Sequence, residues 1–170
     1  MKLRHVAMAL GGLTLLGACS SNPTYDTAYF WHAAGPSPAC TAKQAEMRKS
    51  ADFAKPTVID ITVKDGIYTP ATLTLMHGQP YLLRYHNDDA QSHSVTSPDF
   101  FADSAVGTIT LDGKGAAPAG CIARIILAPK KSTFAQIMPA KEGRYSWTDS
   151  YGPDGFVWLQ RRDIGDVIVH

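Results

Sequence analysis

From Pro56 onward, apolar residues recur at every second position. Ile59, Ile61 and Val63 alternate with Asp60 and Thr62, and Lys64-Asp65-Gly66 then supplies a turn. Thr72 to Leu75 forms a second short run, closed by His77-Gly78-Gln79-Pro80. Tyr81, Leu83 and Tyr85 alternate with Leu82, Arg84 and His86. Ile122 to Leu127, Thr133 to Met138, Tyr145 to Asp149 and Asp166 to Val169 continue the pattern, with Pro129-Lys130-Lys131, Pro139 and Gly143 between them. Short strands separated by Gly/Pro turns, with no long amphipathic helix, predict an all-β fold of the β-sandwich type. Asp103 to Gly120, rich in Gly and Ala, and Gly152-Pro153-Asp154-Gly155 read as long loops inserted between strands.

Upstream of Pro56 the period of two is absent. Residues 20–55 are rich in Ser, Pro, Ala and Gly, with a short helix expected over Ala42 to Phe53. Tyr29-Phe30-Trp31-His32 is an apolar patch in this stretch, read either as a segment packing onto the domain or as a docking site. The first residues have a different logic. Lys2 and Arg4 precede an apolar run from Val6 to Leu16, too short to span a bilayer but suited to a signal-peptide core. The run ends in Leu16-Gly17-Ala18-Cys19, which resembles the lipobox of bacterial lipoproteins; the other reading is a plain secretory signal with a coincidental cysteine. The lipobox reading divides the chain into a signal peptide (1–18), a lipid-anchored tether (19–55) and a sandwich (56–170). It makes Cys19 the lipidated residue, carrying acyl chains such as palmitate, and places the protein in the bacterial cell envelope facing the periplasm. Ser20 after the cysteine, with no Asp there, fits outer-membrane sorting.

Charge and cysteine content narrow the function further. Sixteen Lys and Arg against fifteen Asp and Glu give a formal charge of +1, so no basic field is available for nucleic acid. Apart from Cys19, the chain contains Cys40 and Cys121. In an exported chain this pair reads first as a disulfide, and otherwise as two buried thiols or metal ligands. The chain has no Gly-x-Ser-x-Gly elbow, no His-Glu-x-x-His, no haem-attachment motif and no phosphate-cradling Gly loop, so an enzyme is not expected.

The order of these signals resembles the cupredoxin family. The segments carrying the resemblance are Val58 to Val63, Tyr68-Thr69-Pro70, Gly78-Gln79-Pro80, Tyr81 to Asp89 and Ser92-His93-Ser94-Val95, then Gly143 to Trp147 and Gly165 to Val169. The resemblance covers Pro56 to His170 and implies a Greek-key, cupredoxin-like β-sandwich. It also implies that His93 occupies the position of the first copper ligand. The remaining ligands would follow as Cys, His and Met between the last two strands. Here that stretch, Thr148 to Gly165, contains none of the three: Thr148 stands about where the Cys belongs, Tyr151 near the His and Asp163 near the Met. A blue copper centre needs a thiolate and two imidazoles, so type-1 electron transfer is not expected.

Two functions remain. One is a binding module handling copper at a non-blue site that includes His93, with His86, across the same turn, as a second ligand and Asp88 or Asp89 nearby. The other is a metal-free accessory module docking onto an envelope protein complex through aromatic residues of the lengthened loop, Tyr151, Phe156 and Trp158.

Overall fold

Alternation along the chain decides which side chains enter the core. The computed structural model describes residues 25–26, 38–111, 113–118, 120–150 and 161–170. Its elements are β1 (Tyr25–Asp26), α1 (Pro38–Ser50), β2 (Thr57–Lys64), β3 (Ile67–Thr69), β4 (Leu73–Leu75), β5 (Tyr81–Asn87) and β6 (His93–Thr96). They continue with α2 (Pro98–Ala102), β7 (Ser104–Leu111), β8 (Lys114–Ala116), β9 (Arg124–Leu127), β10 (Ser132–Pro139), β11 (Gly143–Ser150) and β12 (Arg161–Val169). β5 buries Tyr81, Leu83, Tyr85 and Asn87 and turns Leu82, Arg84 and His86 outward, and β10 alternates in the same way.

The strands form two six-stranded sheets, ordered β1-β9-β6-β11-β12-β4 and β3-β2-β5-β10-β7-β8. Both are mixed: β2 runs parallel to β5 and β4 parallel to β12, while the other pairs are antiparallel. One core joins them, with Ile61, Leu83, Ile109 and Ile137 from one sheet and Leu73, Ile125, Trp147 and Val167 from the other. Trp147 is buried, and its Nε1 donates to the Ala71 carbonyl at 2.8 Å, so the large ring carries no orphaned polar atom into the interior. The same carbonyl sits against Gly165, where any Cβ would collide with it.

Asp103 to Gly120 is not an inserted loop. It holds β7, which lies beside β10 within its sheet, and β8 at the sheet edge. The period of two is obscured by a bulge in β7, where Gly107 and Thr108 face the single residue Gln136 of β10, so that Val106 and Ile109, three positions apart, are both buried. Gly107 lies within this stretch, with Phe53 and Gln136 packed against its Cα.

The helix also begins earlier than expected, at Pro38 rather than Ala42, and ends at Ser50 rather than Phe53, and it is docked on the sandwich. Gln44 is fully buried; its Nε2 donates to the carbonyls of Phe101 and Ser104, both at 2.7 Å, and its Oε1 accepts from the Val106 amide. Lys43 pairs with Asp103 at 2.8 Å. Cys40 and Cys121 are joined as a disulfide with Cα atoms 5.9 Å apart. From Pro38 onward the upstream segment is therefore part of the packed body. Gln44→Ala, which orphans three buried backbone groups, is expected to cost about 1–3 kcal/mol, read by denaturant unfolding. Among the described residues, no helix is long and apolar enough to cross a membrane.

Candidate functional site

β2 and β3 are joined by a two-residue turn, Asp65-Gly66, with positive φ at both positions (51° and 69°), the conformation that suits a tight hairpin. The turn leaves two backbone amides pointing the same way, and Asp89 takes both: Asp65 N–H donates to Oδ1 at 2.7 Å and Gly66 N–H to Oδ2 at 2.8 Å. Asp89 is placed there by Asn87, buried at the end of β5. Asn87 Nδ2 donates to the carbonyls of Gln91, Leu127 and Ala128, and its Oδ1 accepts from the Asp89 amide. One amide side chain therefore shapes the whole loop between β5 and β6.

His93 opens β6 and is buried, with only 4% of its surface exposed. Its Nε2 lies 2.9 Å from Asp89 Oδ2 and its Nδ1 2.6 Å from Asp149 Oδ2. Asp149, on β11, is fully buried, and its other oxygen accepts from the Ser94 amide at 2.9 Å. Arg162 on β12 approaches Asp149 Oδ2 at 3.9 Å and lies over Gly66. Tyr68 meets the imidazole edge-on, with ring centroids 6.2 Å apart, and donates to the Ser94 carbonyl. Between the Asp65-Gly66 turn, the Asp89 to Gln91 loop, His93 and Arg162 lies a surface cavity of about 350 Å³.

Two carboxylate acceptors on opposite ring nitrogens require two N–H donors, so this geometry selects the imidazolium. Burial alone favours neutral His93, but the hydrogen bonds and charges of Asp149 and Asp89 outweigh it and hold the pKa above the ordinary value. Burial also works against ionised Asp89, yet the Gly66 and Asp65 amides and His93 together hold its carboxyl below the usual range. Burial, reinforced by the negative charge of Asp149, pushes the Tyr68 phenol up, so it remains a donor.

The sign of the resulting pH dependence follows by linkage. A raised His93 pKa contributes stability that is complete below the unfolded value of about 6.5 and is lost as pH rises through the folded value. A lowered Asp89 pKa contributes stability present above about 3.9 and lost as pH falls through the folded value. Both contributions are complete between roughly pH 4 and 6.5. Stability measured across pH should fall on both sides of that window, and His93→Gln should abolish the alkaline limb while leaving the acid limb from the remaining carboxylates.

A copper centre fits this donor set poorly. Metal ligation needs an unprotonated ring nitrogen, and both nitrogens of His93 are engaged with carboxylates. Among the described residues, no group of three or more His, Cys, Asp and Glu is arranged to hold a metal ion. The expected approach of His86 to His93 does not occur. His86 is on the outward face of β5, where its Nδ1 meets Ser132 at 2.8 Å and its Nε2 meets Asp60 at 3.2 Å, whereas His93 is buried in the other sheet. Thr148 is buried and pairs with Thr96 across to β6, and Asp163 is exposed on β12. Cys40 and Cys121 are bonded to each other. Cys19, Tyr29 to His32, Tyr151, Phe156 and Trp158 lie outside the described residues.

Asp149 and Arg162 were not singled out in the sequence. The one signal for Asp149 is a carboxylate closing the alternating run Tyr145-Ser146-Trp147-Thr148, one residue beyond the position where the cupredoxin resemblance places a thiolate.

The sequence profile of the cupredoxin-like domain family matches residues 39–157, more than half of the chain. No curated protein matches it. Similar solved structures include a copper binding protein in its apo form, 20% identical, covering 66% of this chain and 86% of that one, with a TM-score of 0.38. Another is auracyanin A, a blue copper protein from the green thermophilic photosynthetic bacterium Chloroflexus aurantiacus, 16% identical, covering 68% and 100%, with a TM-score of 0.42. A third is a multi-copper oxidase from Pediococcus acidilactici, 10% identical, covering 71% of this chain and 27% of the oxidase, with a TM-score of 0.45.

Proposed function

The chain belongs to the cupredoxin-like domain family, and on that premise we propose that it works without a metal, as an accessory module of the bacterial cell envelope. In this reading it is lipidated at Cys19, faces the periplasm from the outer membrane and binds a protein partner rather than turning over a substrate. One observation carries it. The histidine at the family's ligand position spends both ring nitrogens on Asp149 and Asp89. A side chain used in this way ties β6 to β11 and to the β2–β3 turn, and the position becomes a structural clamp. The Cys, His and Met that would complete a blue centre are missing from Thr148 to Gly165, which independently supports the same reading. The aromatic residues Tyr151, Phe156 and Trp158 in that stretch are the proposed contact to the partner.

The test is copper binding by the purified full-length chain. Cu(II) added at one equivalent should produce no intense band at about 600 nm, since no thiolate is free to give the charge transfer. Calorimetry should detect no tight site, and His93→Ala should not change the result. Stoichiometric Cu(II) binding that His93→Ala abolishes would restore the copper reading, a nitrogen/oxygen site that includes His93. Loss of co-purification with envelope proteins on Trp158→Ala would support docking; unaltered co-purification would remove that residue from the interface.

A further inference from the structure

The two carboxylates that hold His93 differ in their access to solvent. Nδ1 faces Asp149 at 2.6 Å, and Asp149 is fully buried on β11. Nε2 faces Asp89 at 2.9 Å, and the Asp89 side chain, 16% exposed, borders the surface cavity that His93 also lines. Loss of either ring proton sets a nitrogen lone pair against a carboxylate oxygen, and only a donor placed between them relieves that contact. On the Asp89 side the cavity admits such a donor, and the Asp65 and Gly66 amides still satisfy the carboxylate. On the Asp149 side no surface is exposed, and losing the Nδ1 proton removes the shorter charge-assisted bond from a buried carboxylate. The two protons are therefore not equivalent.

We propose that proton loss from His93 Nε2, with Nδ1–H retained on Asp149, switches the wall of this cavity from closed to accepting. The proposal rests on the reading of His93 as a clamp. In the charged state Nε2–H and Asp89 satisfy each other, and the ring offers the cavity no acceptor. In the neutral state the proton has left to solvent, and Nε2 and Asp89 Oδ2 become two acceptors side by side. The wall then takes an N–H or O–H donor, from water or from an ammonium or guanidinium group of a ligand. The frame around them stays in place: Asn87 Nδ2 still holds the Gln91, Leu127 and Ala128 carbonyls, and Lys130 N–H still donates to the Asp89 carbonyl. The other charged or titratable groups around the ring are the Asp65 carboxylate of the β2–β3 turn, the Tyr68 phenol of β3 and the Arg162 guanidinium of β12. Burial works against the charged ring, but the hydrogen bonds and charges of Asp149 and Asp89 outweigh it, so the transition lies above the ordinary histidine range.

Histidine-ring 15N–1H spectra of the full-length chain, followed from pH 6 upward, test this directly. In the wild type Nε2 should lose its proton in one transition while Nδ1 keeps its own. Diethyl pyrocarbonate, which acylates unprotonated ring nitrogens, gives a second readout through peptide mass spectrometry. Modification of His93 should rise about tenfold per pH unit up to the transition and then level off. Asp149→Asn sets an amide donor against Nδ1 while its oxygen still accepts from Ser94. In that variant the neutral ring should keep its proton on Nε2, against Asp89, and the rise in modification should be lost. Loss of the Nδ1 proton in the wild type overturns the switch and leaves the clamp standing. The same neutral ring form in wild type and Asp149→Asn overturns the part given to Asp149. Modification that does not rise across the transition overturns the opening toward the cavity, and a ring that fails to titrate before the protein unfolds overturns the switch. One ring nitrogen already unprotonated at pH 6 overturns clamp and switch together.

Discussion

Asp149→Ala is expected to destabilise the protein by about 3–5 kcal/mol, the usual cost of removing one partner from a buried, hydrogen-bonded charge pair. Three groups lose a contact to Asp149 at once: His93 Nδ1, the Ser94 amide and the Arg162 guanidinium. His93 and Ser94 do not regain full hydration, because both are buried. For a domain of this size the loss should lower the thermal midpoint by about 10 °C or more. Asp149→Asn keeps the shape and an acceptor for Ser94, so it should cost less, about 1–3 kcal/mol. Chemical unfolding of both variants at pH 6 measures the difference. Equal stability of Asp149→Ala and wild type would mean that the clamp contributes nothing.

Removing the disulfide by Cys40→Ser with Cys121→Ser should have a comparable effect by another route. The two cysteines are 81 residues apart, and closing a loop of that length lowers denatured-state entropy by an amount worth about 4.5 kcal/mol in the chain-entropy account. The folded state should change little, since Gln44 and Lys43 still hold α1 against α2 and β7. The reduced wild type and the double serine variant should therefore show the same loss in urea, with a near-native far-UV spectrum before the transition. A loss well below 1 kcal/mol would show that the denatured chain is already compact around α1.

Strands whose alternation is regular could be read from the sequence directly. β2, β5, β10 and the β11–β12 pair follow the period of two, because each has one face on the core and one outward. β7 was hidden because it carries a bulge of its own, Gly107 and Thr108 opposite the single residue Gln136 of β10, which puts Val106 and Ile109, three positions apart, in the interior together. The docking of α1 was hidden for a different reason. A helix held by one buried glutamine and a disulfide carries no broad apolar stripe, so its attachment is not encoded as a pattern.

The site divides in the same way. His93 stood out because the residues around it resemble a ligand motif, and Asp89 because it shares that turn. Asp149 is 56 positions away from His93, and only the pairing of β11 next to β6 brings it to the imidazole. Long-range contacts of this kind depend on topology, which local spacing does not contain. The same geometry explains why His86, seven positions from His93 in sequence, is on a different face: β5 and β6 belong to opposite sheets.

The protonation state of His93 decides between clamp and ligand most directly. Two-dimensional 15N–1H spectra of the histidine rings at pH 6 should show Nδ1 and Nε2 of His93 both protonated. Adding one equivalent of Zn(II), a diamagnetic imidazole-binding ion, should leave both signals where they were. A single unprotonated ring nitrogen that shifts on adding the metal would contradict the clamp and return His93 to the role of ligand.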